Sequence, residues 1–268
     1  MGRNGSVISA HDFAQTYDGG AYADSWDTVE EYRKIMRYAS KHPQKGSQAV
    51  ATATDTPRSR IRTWIDEGGT PDVIRGLETA QEYGWLEAEY SDPEFKGLNA
   101  LVANVFSGGS IAQQDYRPSF ALNHRGKDSN VVDALKLTGI DYQFVHIDDH
   151  DRADEVRPTE NAPVLGRILA TLGAPVGQKA KQDLSLPTYL DNAPEDVREK
   201  FVYCYLENRA SKRDSRNTIR FREQRSESYL RSLTALIESV ANGPVTISEK
   251  NIHISLEATE NLNLGTVL

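Results

Sequence analysis

The spacing of apolar residues changes near residue 93, and this change divides the chain into two parts with different expected structures. Between residues 28 and 85, apolar positions recur every three to four residues, which is the period of helices with one buried face. Beyond residue 93, helical stretches alternate with short segments in which every second residue is apolar, as in half-buried strands. The pattern predicts an all-α first part followed by a second part of class α+β.

The first part, residues 28–92, is expected to be a small helical domain that follows a flexible leader. The leader, residues 1–27, is polar and rich in glycine. Thr28 with Glu31 three positions later has the pattern of a helix N-cap, so the first helix is predicted to begin there.

Two short helices are predicted next, SQAVATATD and RSRIRTWID, with Thr56 as the N-cap and Pro57 as the first residue of the second one. This arrangement is similar to helix-turn-helix modules, in which the second helix enters the major groove of DNA. Ile61, Trp64 and Ile65 share one face and are expected to anchor that helix in the core. The residues predicted to contact DNA lie on its other faces: Arg58, Ser59, Arg60, Arg62 and Thr63.

The second part, residues 93–268, contains a repeat. Its halves, about 97–176 and 190–268, each follow the order helix, strands, helix, strands, and a proline-containing segment, 174–193, joins them. Two αββαββ units in series predict a pseudo-two-fold α+β domain.

Three stretches of the second part carry a resemblance to a known family. LVANVFSGGSI (101–111) aligns without gaps on LAGFIDADGSI, and REKFVYCYLENRAS (198–211) aligns on a second copy of that pattern. PVLGRILATLGAPVGQK (163–179) contains a Gly-x-Pro-x-Gly turn. The second part therefore resembles the LAGLIDADG homing endonucleases over roughly its whole length. The resemblance implies two signature helices packed side by side, with small residues, here Ala103 and Cys204, where they cross.

The resemblance also implies where a catalytic centre would lie. In the family, each signature helix delivers an acid that binds divalent metal ions, which activate water and stabilise the leaving oxygen. These positions are Gly108 and Arg209 here, and neither side chain can be a metal ligand. Glu207 falls on the other acidic position of the motif, and Phe106 replaces that acid in the first copy. We therefore expect no enzyme activity, no catalytic residues, no metal and no cofactor.

Charge is distributed unevenly along the chain. The net charge is −8, yet the stretch from Arg209 to Arg225 contains seven basic and two acidic residues. A concentrated basic strip on an acidic body is compatible with DNA binding. The excess of acids, and of arginine over lysine, suggests a halophilic, archaeal source.

Polar and apolar residues alternate along two strand-like segments, which predicts two DNA-facing surfaces. The buried side carries Ile219 and Phe221 in the second half, and Tyr116, Phe120 and Leu122 in the first half. The opposite sides carry Arg, Ser, Thr and Asn, which suit base edges and phosphates in a major groove. In the second half, the predicted contacts are Arg209, Lys212, Arg213, Arg216, Thr218, Arg220 and Arg222. In the first half they are Arg117, Ser119, Asn123 and Arg125. For this first strand, an ordinary solvated face explains the pattern equally well.

Other classes of protein are disfavoured. No run of about 18 apolar residues is present, so no membrane span is expected. Cys204 is the only cysteine, which excludes a disulfide framework and a cysteine-rich zinc site and favours a cytoplasmic, nucleoid-associated protein. His146, Asp148 and His150 would share a strand face, but an acidic loop is the commoner explanation, and no further ligand can be identified.

These patterns together predict a sequence-specific protein that binds double-stranded DNA as a monomer, because both halves lie in one chain. The expected role is transcriptional regulation, with the transcription machinery as a further partner to consider. Two alternatives stay open. The first is a homing endonuclease whose metal ligands include Glu207 and an unidentified acid. The second is a protein-interaction module that does not bind DNA.

Overall fold

Helices dominate the fold, and the strands of the described residues form two small antiparallel sheets. The computed structural model describes residues 7–122, 126, 129–146, 154–209 and 218–262. The protein has the α+β class that the sequence predicts. Within these ranges, no helix is both long enough and apolar enough to cross a membrane.

The helices that precede the first strand include three that form a unit of their own. The first five helices are α1 (Ala10–Ala14), α2 (Ser25–Lys41), α3 (Ser47–Thr54), α4 (Arg58–Asp66) and α5 (Asp72–Glu82), and the unit consists of α2, α3 and α4. Ile35 of α2, Val50 and Ala51 of α3, and Ile61 of α4 make a small separate core. Asp55 adopts a left-handed conformation with φ of 53°, which allows a short turn between α3 and α4.

The stretch expected to be a flexible leader is folded from residue 8 onward. Ile8 and Phe13 have no exposed surface, because both insert into the main hydrophobic core. Ser9 caps α1 by accepting a hydrogen bond from the Asp12 amide at 3.3 Å. A signal was present, because Ala10, Phe13, Ala14 and Tyr17 have the spacing of one helix face, but the polar residues around them favoured the prediction of a flexible leader.

Two predicted helix starts are shifted. Helix α2 begins at Ser25, because the side chain of Asp24 accepts a hydrogen bond from the amide two residues ahead at 2.8 Å. Thr28 therefore lies inside the helix and is not its N-cap. Helix α4 begins at Arg58 with Pro57 in the N-cap position, one residue later than predicted.

The main core does not divide at the predicted boundary between residues 92 and 93. Residues of α1 and α5 belong to the same buried cluster as the second part. The indole N–H of the fully buried Trp85 donates to the carbonyl of Thr138 at 3.0 Å, across that boundary. The unit of α2, α3 and α4 is therefore attached to a main hydrophobic core that contains residues of both parts.

The elements of the second part follow in two series. The first half comprises α6 (Pro93–Ser107), β1 (Ser110–Ile111), β2 (Pro118–Ala121), α7 (Asn130–Leu137), β3 (Tyr142–Val145), β4 (Glu155–Pro158) and α8 (Ala162–Thr171). The second half comprises α9 (Glu195–Arg209), β5 (Ile219–Arg222), α10 (Glu227–Ala241), β6 (Val245–Ser248), β7 (Asn251–Ile254) and α11 (Leu256–Asn261). Short 3₁₀ turns at Lys179–Lys181 and Thr188–Asp191 lie between them.

Three strands of each half, β2-β4-β3 and β5-β7-β6, are arranged in the same order, and β1 adds a fourth strand to the first sheet. The first sheet is ordered β1-β2-β4-β3 and the second β5-β7-β6, with antiparallel pairing throughout. In each half, the strand before the second helix (β2 or β5) pairs with the last strand (β4 or β7). The internal repeat therefore extends to the topology of the described residues.

The first helices of the two halves, α6 and α9, lie against each other. Asn99 on α6 donates a side-chain hydrogen bond to the carbonyl of Val197 on α9 at 2.9 Å. Ala103 and Cys204 are both fully buried between the surrounding elements. Small side chains at these positions leave room for two helix backbones to approach closely.

Candidate nucleic-acid interface

The outer face of the second sheet is the most basic strand surface that the structure describes. Along β5, Ile219 and Phe221 are buried whereas Arg220 and Arg222 are exposed, as the alternation in the sequence predicts. Thr218, half-buried, directly precedes the strand. The apolar side of β5 lies in the main core, so the two arginines are presented from a rigid support.

Strand register adds polar side chains to this face. Arg220 pairs with His253 of β7, which pairs in turn with Thr246 of β6. Arg222 pairs with Asn251, which pairs with Ser248. Residues opposite each other in an antiparallel sheet point to the same side. We call this surface the β5 face and define it by Arg220, Arg222, Thr246, Ser248, Asn251 and His253.

The β6 and β7 members of the β5 face were not predicted from the sequence. A signal was present, because Ile252 and Ile254 are buried while Asn251 and His253 are partly exposed. The alternation along one strand does not show which other strands share its face. Strand pairing, which cannot be obtained from one strand alone, brings the remaining side chains onto the same surface.

The equivalent face of the first sheet is close to neutral. Ser119 on β2 donates a hydrogen bond to Glu155 at 2.6 Å, and Arg157 forms an ion pair with the same carboxylate at 2.7 Å. Burial alone would raise the pKa of Glu155, but the hydrogen bonds from Ser119 and Arg157 and the charge of Arg157 hold that pKa below its usual range. The face therefore retains a carboxylate, which phosphate groups would avoid.

Arg117 directly precedes β2, which begins at Pro118. It is exposed, and its carbonyl accepts a hydrogen bond from the amide of Ala112 at 3.0 Å, which continues the pairing of β1 with β2. Its guanidinium forms an ion pair with Asp115 at 3.2 Å. Its charge is therefore partly compensated by a neighbouring carboxylate.

Several predicted contacts lie outside the described residues: Asn123, Arg125, Lys212, Arg213 and Arg216. The same holds for Asp148 and His150 of the discounted histidine–aspartate cluster. Within the described ranges, no three His, Cys, Asp or Glu side chains come together in a way that would hold a metal ion.

Arg209 is held in an ion pair rather than standing free as a phosphate contact. Its guanidinium lies 2.9 Å from the carboxylate of Glu223, whose side chain is only 2% exposed. Tyr205 donates to the same carboxylate at 2.6 Å, and Arg225 lies 3.5 Å from it. A buried carboxylate is costly without such partners, so Arg209 contributes to folding.

The C-terminal ends of α6 and α9 converge. A Cβ atom added to Gly108 would lie 3.8 Å from the side-chain nitrogen of Asn208. That nitrogen donates to Ser107 at 3.0 Å and also to Asn104. Amides and hydroxyls occupy the place where the family resemblance puts metal-binding acids.

Glu207 faces the interior. Its side chain accepts a hydrogen bond from Asn130 of α7, and the residue is 2% exposed. A carboxylate in this position cannot reach a DNA backbone at the protein surface. The open alternative that used Glu207 as a metal ligand receives no support from this geometry.

Lys179, in the segment between the halves, contacts the C-terminal end of α6. Its ammonium group donates to the carbonyls of Val105 at 2.6 Å and Gly109 at 2.7 Å, at the end of α6. Burial, together with the charges of Arg225 and Arg209, lowers its pKa to about 8. Lys179 was not predicted from the sequence, because nothing local indicates that the connecting segment folds back onto a helix end.

On α4, four of the five predicted contacts are exposed: Arg58, Ser59, Arg62 and Thr63. Arg60 is the exception. It forms an ion pair with Glu31 of α2 at 3.1 Å and donates to Tyr22 at 2.8 Å. Its side chain is 33% exposed, and it joins α4 to α2, so its contribution is structural.

No protein-family model matches the chain, and no curated protein matches it either. The residues and their arrangement are therefore the basis for assigning a function.

Proposed function

We propose that this protein binds double-stranded DNA sequence-specifically and regulates transcription. It would do so as a monomer, through a helix-turn-helix-like unit joined to a catalytically inactive LAGLIDADG-like scaffold. The observation that carries the proposal is the β5 face, where two exposed arginines stand beside His, Asn, Thr and Ser side chains on three paired strands. Its chemistry suits both base edges and phosphates.

The side chains of the β5 face match the donors and acceptors of the major groove. Arginine can donate two hydrogen bonds to guanine, and asparagine can pair with adenine in the same bidentate way. Thr246 and Ser248, exposed on β6, suit phosphate contacts, which set orientation without reading sequence. A two-stranded or three-stranded ribbon can enter this groove as a helix does.

The exposed residues of α4 support a second point of contact. Ser59 and Thr63 face away from the buried Ile61, and Arg58 stands at the N-terminal end of the helix. This is the end that helix-turn-helix proteins place against base edges. The carboxylates of Asp66 and Glu67 lie within 3.9 Å of Arg58 and 3.1 Å of Arg62, which limits how strongly α4 alone attracts DNA.

Removing the two β5 arginines tests the proposal. The Arg220→Ala, Arg222→Ala double variant should fold normally and bind duplex fragments that wild-type protein selects from a genomic library at least about tenfold more weakly, since one bidentate pair contributes roughly 1–3 kcal/mol. An Arg75→Ala, Arg231→Ala double variant removes the same charge from exposed helix positions and should bind like wild type. Equal affinities for both double variants would contradict the role of the β5 face.

A nicking assay separates this function from that of an endonuclease. Supercoiled plasmid containing the selected fragments should stay intact with wild-type protein in Mg²⁺ or Mn²⁺. The reason is that Gly108 and Arg209 stand at the positions of the metal-binding acids and Glu207 lies in the core. Metal-dependent nicking would favour the nuclease, and a wild-type protein that binds no duplex at low salt would favour a protein-interaction module.

A further inference from the structure

The C-terminal half of α2 carries an exposed basic surface that the DNA contacts above leave unused. Lys34, Arg37 and Lys41 follow at spacings of three and four residues, which places them on one side of the helix. All three are exposed. Between residues 32 and 46 the chain has five Arg or Lys residues and no acidic one. We call Lys34, Arg37 and Lys41 the α2 stripe.

In the described part of the chain, no ion pair joins Lys34, Arg37 or Lys41 to an acid, although Glu30 and Glu31 precede Lys34 by four and three residues on the same helix. The arginines of α4 differ, because Arg60 is paired with Glu31 and Arg62 with Glu67, each at 3.1 Å. The charges of the α2 stripe are therefore less compensated by ion pairs than those of the predicted recognition helix.

Contacts place the α2 stripe beside the α3–α4 turn. The ammonium group of Lys34 donates to the carbonyl of Thr54, the last residue of α3, at 3.2 Å. Helix α4 begins four residues later at Arg58. One end of the α2 stripe thus lies next to the turn that leads into α4.

The other end of the α2 stripe leads towards the start of α3. Lys45, four residues beyond Lys41, donates to Tyr38 at 2.7 Å and lines a shallow groove together with Ser47, Arg58 and Asp66, whose carboxylate lies 3.9 Å from the Arg58 guanidinium. Basic side chains therefore continue from α2 to the N-terminal end of α4. Such a row is longer than one helix turn and can follow a row of phosphates.

We infer that the α2 stripe binds the sugar–phosphate backbone of the duplex that flanks the groove entered by α4. The inference rests on the proposed function and adds a second, sequence-independent contact to it. Lysine and arginine side chains on a helix surface attract phosphates without selecting bases. They should therefore raise affinity for every duplex by the same factor and increase its dependence on salt.

The test is a full-length variant with Lys34→Gln, Arg37→Gln and Lys41→Gln. The slope of log affinity against log salt should become shallower by about 2 to 3, close to one unit for each phosphate-binding side chain that is replaced. Preferred and unrelated duplexes should weaken by the same factor. An Arg37→Gln, Lys41→Gln variant keeps the Lys34 hydrogen bond to Thr54, and its slope should change by about 2 even if the triple variant folds poorly.

The matched control removes three exposed charges from other helices, through Arg75→Gln, Lys96→Gln and Lys136→Gln, and should keep the wild-type slope. A slope for the α2 variants equal to that of this control would overturn the inference.

If those variants bind like wild type while the Arg220, Arg222 variant does not, the inference fails and the proposed function stands. Selective weakening on the preferred duplex would show base recognition and overturn the backbone contact. A wild-type protein without duplex binding overturns both.

Discussion

At the scale of single residues, the buried carboxylate of Glu223 holds several neighbouring side chains in hydrogen bonds and ion pairs. Glu223 accepts hydrogen bonds from Tyr205 at 2.6 Å and from Arg209 at 3.0 Å. Burial, and then the nearby Tyr229 and Glu223, raise the pKa of Tyr205, so its hydroxyl stays protonated and able to donate. A position where the family resemblance implies a metal-binding acid is occupied by an arginine that stabilises the fold.

Lys179 gives this region a measurable dependence on pH. Its pKa in the folded protein is about 8, below the ordinary value of 10.5, because burial and two nearby arginines disfavour its charged form. Between these values the unfolded chain holds a proton that the folded protein has released, so stability rises with pH across that window. The free energy of unfolding of wild type, relative to Lys179→Met, should increase from pH 8 to pH 10.5 by up to about 3 kcal/mol. Urea unfolding at a series of pH values measures it.

The exposed Lys181, in the same 3₁₀ turn, supplies the control. The difference between wild type and Lys181→Met should stay constant over the same pH range. The other ionisable groups are the same in all three proteins, so their contributions cancel in the comparison. A difference between wild type and Lys179→Met that does not change with pH would show that Lys179 keeps an ordinary pKa.

At the scale of elements, the packing of α6 on α9 depends on side-chain size. Asn99, Ala103 and Ser107 recur every four residues on α6, and the first and last of them contact α9. Ala103 lies between those contacts and is fully buried. A larger side chain at this position would have to separate the two helices.

Ala103→Leu should therefore destabilise the protein by about 1–3 kcal/mol, the usual cost of overpacking a core. Ala235→Leu places the same side chain on an exposed position of α10 and should change stability by less than about 0.5 kcal/mol. Chemical unfolding of both variants tests this expectation. Equal stabilities would mean that α6 and α9 have space between them and that the small residue is not required.

The elements also show what a sequence can and cannot predict. Burial alternates along β5 as the sequence predicts: its two apolar residues are buried and its two arginines are exposed. Burial alternates along β2 as well, so the two halves differ in the charge of their faces and not in their period. Glu155, which neutralises that face, is brought beside Ser119 only by pairing of β4 with β2. Local periodicity is readable from one segment, whereas charge compensation depends on contacts between distant segments.

At the scale of the whole molecule, the first part is attached to the second by a specific contact. The guanidinium of Arg167 on α8 lies 3.9 Å from the ring centre of Tyr17 and 4.0 Å from that of Tyr116. It also donates a hydrogen bond to the carbonyl of Thr16. Gly76 on α5 makes room for the Tyr17 hydroxyl, since a Cβ there would lie 1.9 Å from it. This contact fixes the N-terminal segment on α8, and no local pattern within residues 1–27 indicates it.

Arg167→Ala should loosen this attachment without unfolding the rest. Two cation–π contacts between partly buried groups contribute roughly 1–2 kcal/mol, so opening of the N-terminal segment should become about tenfold more frequent. The amides of Phe13, Thr16 and Tyr17, which donate to backbone carbonyls within 3.1 Å, should then exchange hydrogen about ten times faster. Amides of α6 and α9 should keep their rates. Arg231→Ala, at a position 73% exposed on α10, is the control and should leave all of these rates unchanged. If hydrogen exchange became faster in every helix of the Arg167 variant, the two parts would unfold together. The shared core, and not Arg167, would then hold the two parts together.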